Sequence, residues 1–124
     1  MNGVFLTGAS GIEYFYTPYL FSAAGWHPDP ANYAFGHLDE SEQWQLVYIG
    51  ETANLLGRMR THAQWQAAQR LGCTHVLVNL NADGLRFRRV QERDLITRYQ
   101  PVLNTQLLRE PKPRIRRMGY FPGG

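Results

Sequence analysis

An α+β fold is predicted by three observations on the sequence. Residues 33–37 and 44–49 alternate in character around the polar stretch 38–43, as the arms of a β-hairpin do. The run 74–80 is β-branched and apolar, hence a further strand. Segments with apolar residues at helical spacing lie on either side of that strand, closed by Gly72 and by Pro101.

The elements follow in order. Residues 3–7 and 12–17 read as short strands joined by a Gly-Ala-Ser-Gly turn, and Trp26-His27-Pro28-Asp29-Pro30 then breaks the chain. Residues 1–30 are therefore expected as an N-terminal extension packed on a domain spanning 31–105. A symmetric hairpin sets Tyr33 opposite Tyr48, Phe35 opposite Leu46 and His37 opposite Trp44, all six on one face. Taken alone, a cross-strand tyrosine pair is ordinary sheet packing. A helix is expected over 53–62, capped by Thr52 or Asn54, with Leu55, Arg58, Met59 and His62 on one face. Gly57 within it costs about 1 kcal/mol relative to Ala, which points to a close approach by backbone or ligand. Helix continues over 63–71 with Trp65, Ala68 and Leu71 as its packed stripe.

A third helix is expected over 85–99, its inward stripe reading Glu92, Leu95, Ile96, Tyr99. A carboxylate heading an apolar ridge needs a cation, a metal or a hydrogen-bond donor. Pairing with Arg88 or Arg89, one turn back, is the structural alternative. Residues 106–124 form a Pro- and Gly-rich basic tail.

Composition narrows the function classes. Residues 1–50 hold five acids and no Lys or Arg, whereas all thirteen basic residues, twelve of them Arg, lie beyond position 50 against five acids. The planar Arg fork suits phosphate oxygens, so the asymmetry suggests a nucleic acid meeting the C-terminal half; a solvated basic face accounts for charge alone equally well. No apolar run approaches the roughly 18 residues of a membrane span, and residues 1–7 lack the basic region of a signal peptide. With Cys73 unable to pair internally, a cytoplasmic setting is expected. His27, His37, His62, Cys73 and His75 lack the spacing of a closed zinc site, and neither a nucleophile elbow nor a phosphate-binding Gly-rich loop occurs.

Two linked blocks carry a family resemblance. Tyr48-Ile49-Gly50-x-Thr52-x-Asn54-Leu55-x-x-Arg58-x-x-x-His62 resembles the second half of the GIY-YIG nuclease signature. Downstream, Glu92-x-x-Leu95-Ile96-x-x-Tyr99-x-Pro101-x-Leu103-Asn104 resembles that family's C-terminal block. The departure is in the first motif, where Ala31-Asn32-Tyr33 stands in place of Gly-Ile-Tyr.

The resemblance implies a three-stranded antiparallel sheet flanked by helices, and an endonuclease hydrolysing phosphodiester bonds in DNA with one Mg²⁺ or Mn²⁺. It implies that Tyr33 and Tyr48 handle the attacking water and the scissile phosphate, and that Arg58 stabilises charge on that phosphate. By the same carry-over His62 assists proton transfer or contacts phosphate, Glu92 holds the metal and Asn104 shapes the site. Candidate phosphate contacts are Arg60, Arg88 and Arg89, with Lys112, Arg114, Arg116 and Arg117 of the tail. RNA is an open alternative substrate, and a catalytically inactive nucleic-acid-binding module is the alternative function. Since phosphate contacts carry no sequence information, specificity is expected from nucleic-acid structure, from a homodimer or from a partner protein.

Overall fold

Strand β3, Ala31–Leu38, is buried on both faces for its first six residues. A strand of that kind needs hydrogen-bonded neighbours on both edges and a layer over each face. The structure, a computed structural model, describes residues 3–109 and supplies both. The other elements are β1 (Val4–Thr7), β2 (Glu13–Leu20), β4 (Trp44–Thr52), α1 (Leu55–Arg60), α2 (Trp65–Arg70), β5 (His75–Leu80), α3 (Leu85–Tyr99) and α4 (Val102–Arg109). All pairings are antiparallel, and the sheet order is β1-β2-β5-β3-β4.

The fold is thus α+β, but the expected three-stranded sheet is corrected to five strands. The far edge of β5 would otherwise present unpaired backbone groups; β2 satisfies them with Thr17 opposite Val78 and Leu20 opposite His75. The first thirty residues therefore contribute two strands to the sheet itself. The Pro-rich break after β2 is pinned by its own carbonyls, since Asp29 and His27 accept from Leu55 and Leu56 N–H and Pro30 accepts from Asn81 N–H.

Three further expectations change. The hairpin is not symmetric: Tyr33 lies opposite Gly50 and Phe35 opposite Tyr48, and Gly36 then meets Leu46, leaving Val47 as a bulge. A Cβ on Gly36 would sit 2.7 Å from the Gln45 carbonyl oxygen, so glycine permits the close approach there. The bulge resets the alternation, so Trp44 and Leu46 pack in the core opposite to that of Tyr33, Phe35 and Tyr48. The helix expected over 53–71 breaks into α1 and α2, because Thr61 Oγ1 bonds back to the Gly57 carbonyl and His62 Nδ1 takes the Gln64 N–H. Gly57 receives the capping side chain of Asn54, whose Oδ1 accepts its N–H at 3.1 Å. Finally, α4 begins just after Pro101 and runs to Arg109, so the expected tail is helical at its start.

The sheet divides the core in two. On one face Tyr33, Phe35, Val76 and Val78 pack with Leu55, Met59, Ala68 and Leu103. On the other Ala34, Ile49 and Leu77 pack with Leu95, and Ile96 and Tyr99 of α3 cover them. No helix among the described residues is long and apolar enough to cross a membrane.

Candidate active site

Helix α1 is set over β3 by Leu55 and Met59, both buried, which turns Arg58 and His62 toward the tyrosines. Tyr33 is fully buried, and its hydroxyl lies 2.7 Å from His62 Nε2. Arg58 Nε–H donates to the same oxygen at 3.4 Å, a long contact. Tyr48 is half-buried; His62 stands edge-on to it with ring centroids 4.9 Å apart, and Tyr33 lies 6.1 Å away. The two tyrosines therefore meet on one face by a diagonal contact, although the register is not the symmetric one. The structure brings together Tyr33, Tyr48, Arg58 and His62.

The tautomer of His62 follows from its other nitrogen. Nδ1 accepts the Gln64 N–H at 3.0 Å, so in the neutral ring Nε2 carries the proton and donates to Tyr33 Oη. Burial, with the Arg58 charge adding to it, pushes the His62 pKa down to about 4. Both nitrogens of His62 are engaged, and the ring holds Tyr33 in place. Burial also drives the Tyr33 phenol above its ordinary range, the neighbouring Tyr48 adding to the rise. Tyr33 Oη accepts two hydrogen bonds and keeps its own proton inside the core.

Glu92 lies on α3, on the other face. Its carboxyl is half-buried beside Glu51, and burial first, then the Glu51 charge, raises its pKa to about 7. Neither Arg88 nor Arg89 forms an ion pair with Glu92: Arg88 Nε–H donates to Glu51 Oε1 at 2.9 Å. The Arg88 and Glu51 side chains are 7% and 16% exposed, so Arg88 is corrected from phosphate contact to buried partner of Glu51.

The two faces meet along β4, the sheet's edge strand. Backbone groups of Ile49 and Glu51 point to the same side of that strand. Asn104 of α4 takes both groups of Ile49, its Oδ1 accepting N–H at 2.8 Å and its Nδ2 donating to the carbonyl at 2.9 Å. The Glu51 N–H faces Glu92. Between them sits Gly50, where a Cβ would fall 2.6 Å from Tyr33 Oη. Asn104 thus acts through the backbone of β4, and the bare Cα of Gly50 leaves room for the Tyr33 hydroxyl against that strand.

The Ala31-Asn32 stretch before Tyr33 has a structural role. Ala31 fills the core beside Leu55 and leaves the strand extended. Asn32 is fully buried under α3, its Nδ2 donating to the Arg88 carbonyl at 2.8 Å and its Oδ1 accepting from Asn81 at 2.9 Å. Asn81 also donates to Gln91, whose Nε2 donates to Tyr16 Oη at 2.9 Å. An amide network therefore links β3, the residue after β5, α3 and β2. Glu51, Asn81 and Gln91 were not identified from sequence, and Asn32 only as a departure from the resembled motif. The usable signal was a set of amides on strand and helix positions that face inward, since buried polar groups must find partners.

Of the remaining phosphate candidates, Arg60 and Arg89 are exposed on α1 and α3. Lys112, Arg114, Arg116 and Arg117 lie outside the described residues. Among the described residues no three His, Cys, Asp or Glu side chains converge as a metal cluster. Comparison of the chain with family models, curated proteins and solved structures gave no match.

Proposed function

We propose that the protein is a divalent-metal-dependent endonuclease that hydrolyses phosphodiester bonds in DNA, a reading that rests on its GIY-YIG-like motifs. The observation that carries it is the Tyr33–His62–Arg58 cluster with Tyr48 alongside. Arg58 offers a guanidinium fork to a phosphate held against the tyrosines. Tyr33, fully buried, braces Tyr48 and Arg58 from beneath, with His62 and Asn104 fixing its ring and the adjoining strand. Tyr48, less buried than Tyr33, supplies the hydroxyl nearest solvent.

Glu92 offers a hard-oxygen carboxyl, half-buried beside Glu51, which suits a small divalent cation that keeps much of its water. Glu92 would hold Mg²⁺ or Mn²⁺, because Glu51 is committed to Arg88. When bound, the ion lowers the pKa of its water and neutralises phosphate charge.

Plasmid DNA incubated with the protein, with and without Mg²⁺ or Mn²⁺, tests the reading on a gel. Cutting that requires metal and disappears in Glu92→Ala supports it; a fully active Glu92→Ala enzyme removes the metal assignment. Tyr48→Phe keeps the ring and removes the hydroxyl alone. A second reading, a nucleic-acid-binding module without turnover, is favoured by His62, whose nitrogens are both occupied and which has no free site for a proton. It predicts a salt-sensitive mobility shift with no cutting in any metal. Running an RNA duplex alongside distinguishes the substrates.

A further inference from the structure

The outward face of α3 and the β1–β2 turn enclose an open cavity of about 770 Å³. Its walls include Leu85, Val90 and Ile12, which are 45%, 60% and 55% exposed. Three large aliphatic side chains sharing one concave surface are unusual for a face meant only for water. Arg86, Arg89 and Arg93 line the same groove at i, i+3 and i+7, one stripe of the helix. Among the described residues none of the three is in an ion pair, the pairs there being His27–Asp29 and Arg88–Glu51. Asp94 in the wall is already committed: it accepts from Ser10 N at 2.9 Å, Ser10 Oγ at 2.6 Å and Tyr14 Oη at 2.8 Å. Those bonds fasten the turn to the helix and give the groove a fixed wall.

We infer that this groove docks an acidic amphipathic helix of a partner protein. The occupant must bury aliphatic surface and carry carboxylates along the flank. A nucleic-acid strand satisfies the arginines but leaves Leu85, Val90 and Ile12 in water, and it favours aromatic platforms. Tyr14, the aromatic side chain in the wall, is half-buried with its hydroxyl held by Asp94. A second copy offers the acidic turn between β3 and β4, but residues 40–43 are Glu, Ser, Glu and Gln, with no aliphatic anchor. Asp39 in that turn is spent on Ser41, Gln43 and Gln45. A helix with apolar residues at i, i+3, i+4 and i+7 and Asp or Glu beside them matches both features. The groove follows α3 from Leu85 to Thr97, room for about three turns of an occupant.

The test uses the full chain, ¹⁵N-labelled, and a synthetic peptide of about 14 residues with leucines on one helical face and glutamates around them. A peptide of the same composition with its leucines scattered is the control. The amphipathic peptide is expected to bind about tenfold tighter than the control and more weakly in high salt. Amide shifts should be confined to α3 and the β1–β2 turn. Val90→Asp and Arg86→Glu, both at exposed positions outside the nuclease machinery, should each weaken binding about tenfold while plasmid cutting stays unchanged. Should Val90→Asp fail to fold by circular dichroism, Arg86→Glu carries the same comparison. The inference is overturned by absence of binding, by equal binding of the control, or by shifts elsewhere. Duplex DNA that loses affinity in Val90→Asp, or a dimer that this variant dissolves, overturns it too by assigning the groove to a different occupant. Peptide binding is read without cleavage, so failure of the nuclease reading would leave this result standing.

Discussion

The two faces of the sheet solve one problem in opposite ways. On the α1 face, polar groups are buried neutral: Tyr33 keeps its proton, His62 keeps only one, and Arg58 remains at the margin. On the α3 face Arg88 and Glu51 keep their charges as a buried pair, and Glu92 beside them is pushed toward its neutral form. A neutral hydrogen-bonded cluster costs little desolvation but cannot by itself hold a cation. A charged cluster holds one readily but depends on each partner being present. The sheet keeps the two kinds of cluster apart, one on each face.

Arg88→Ala should break the comparison most severely. It would leave two carboxylates near one another with no buried cation, at a cost of about 3–5 kcal/mol. Urea unfolding with metal chelated measures it, and a loss near zero would mean that Glu51 finds water. The α1 face should be disturbed far less, so the His62 resonances of the folded fraction should keep their positions.

Gly50→Ala strikes both faces from the shared strand. The added methyl meets Tyr33 Oη and the Tyr48 ring, so Tyr33 or the strand must shift. A loss of about 1–3 kcal/mol is expected from overpacking. Asn32→Ile, which restores the residue usual in the resembled motif, should also destabilise, by about 1–3 kcal/mol. It removes the donor to the Arg88 carbonyl and one acceptor of Asn81. A more stable Asn32→Ile protein would show that the amide network is incidental.

How much of this was legible in sequence depends on how local each cause is. The span of α3 matched because Gly84, the apolar stripe and Pro101 lie within the segment they delimit. The hairpin was legible as a pair of strands but not in its register, since a bulge at Val47 depends on which side chains fit each core. That β2 joins the sheet was hidden for the same reason: its partner β5 lies about sixty residues away. The tyrosine, arginine and histidine cluster was readable from motif spacing, whereas Arg88 was misread. Its charge suggested a phosphate, and only Glu51 across the strand pair reveals a buried partner. Asn32 looked like a defect for want of Asn81 and Gln91, which the fold brings to it.

The smallest expected effect is the sharpest on the comparison, because the two faces titrate in opposite senses within one pH window. His62 has a folded pKa of about 4, below its unfolded value near ~6.5, so the unfolded chain binds more protons between them. Its contribution therefore makes stability rise with pH from about 4 to about 6.5 and level off above. Glu92 has a folded pKa of about 7, above its unfolded value near ~4.3, so the folded chain binds more protons and stability falls as pH rises through that window. Allowing for solvent screening at partly exposed groups, each swing is on the order of 1–2 kcal/mol. With metal chelated, the two should nearly cancel in the wild-type protein between about pH 4.5 and 6.5. His62→Phe should leave a profile that falls with rising pH, and Glu92→Gln one that rises. Urea midpoints across the window read both slopes, and two variants sloping the same way would show that charge is not divided between the faces. Mg²⁺ bound at Glu92 would favour the carboxylate and flatten the falling limb of His62→Phe alone, which ties the titration of one face to the ion it is proposed to hold.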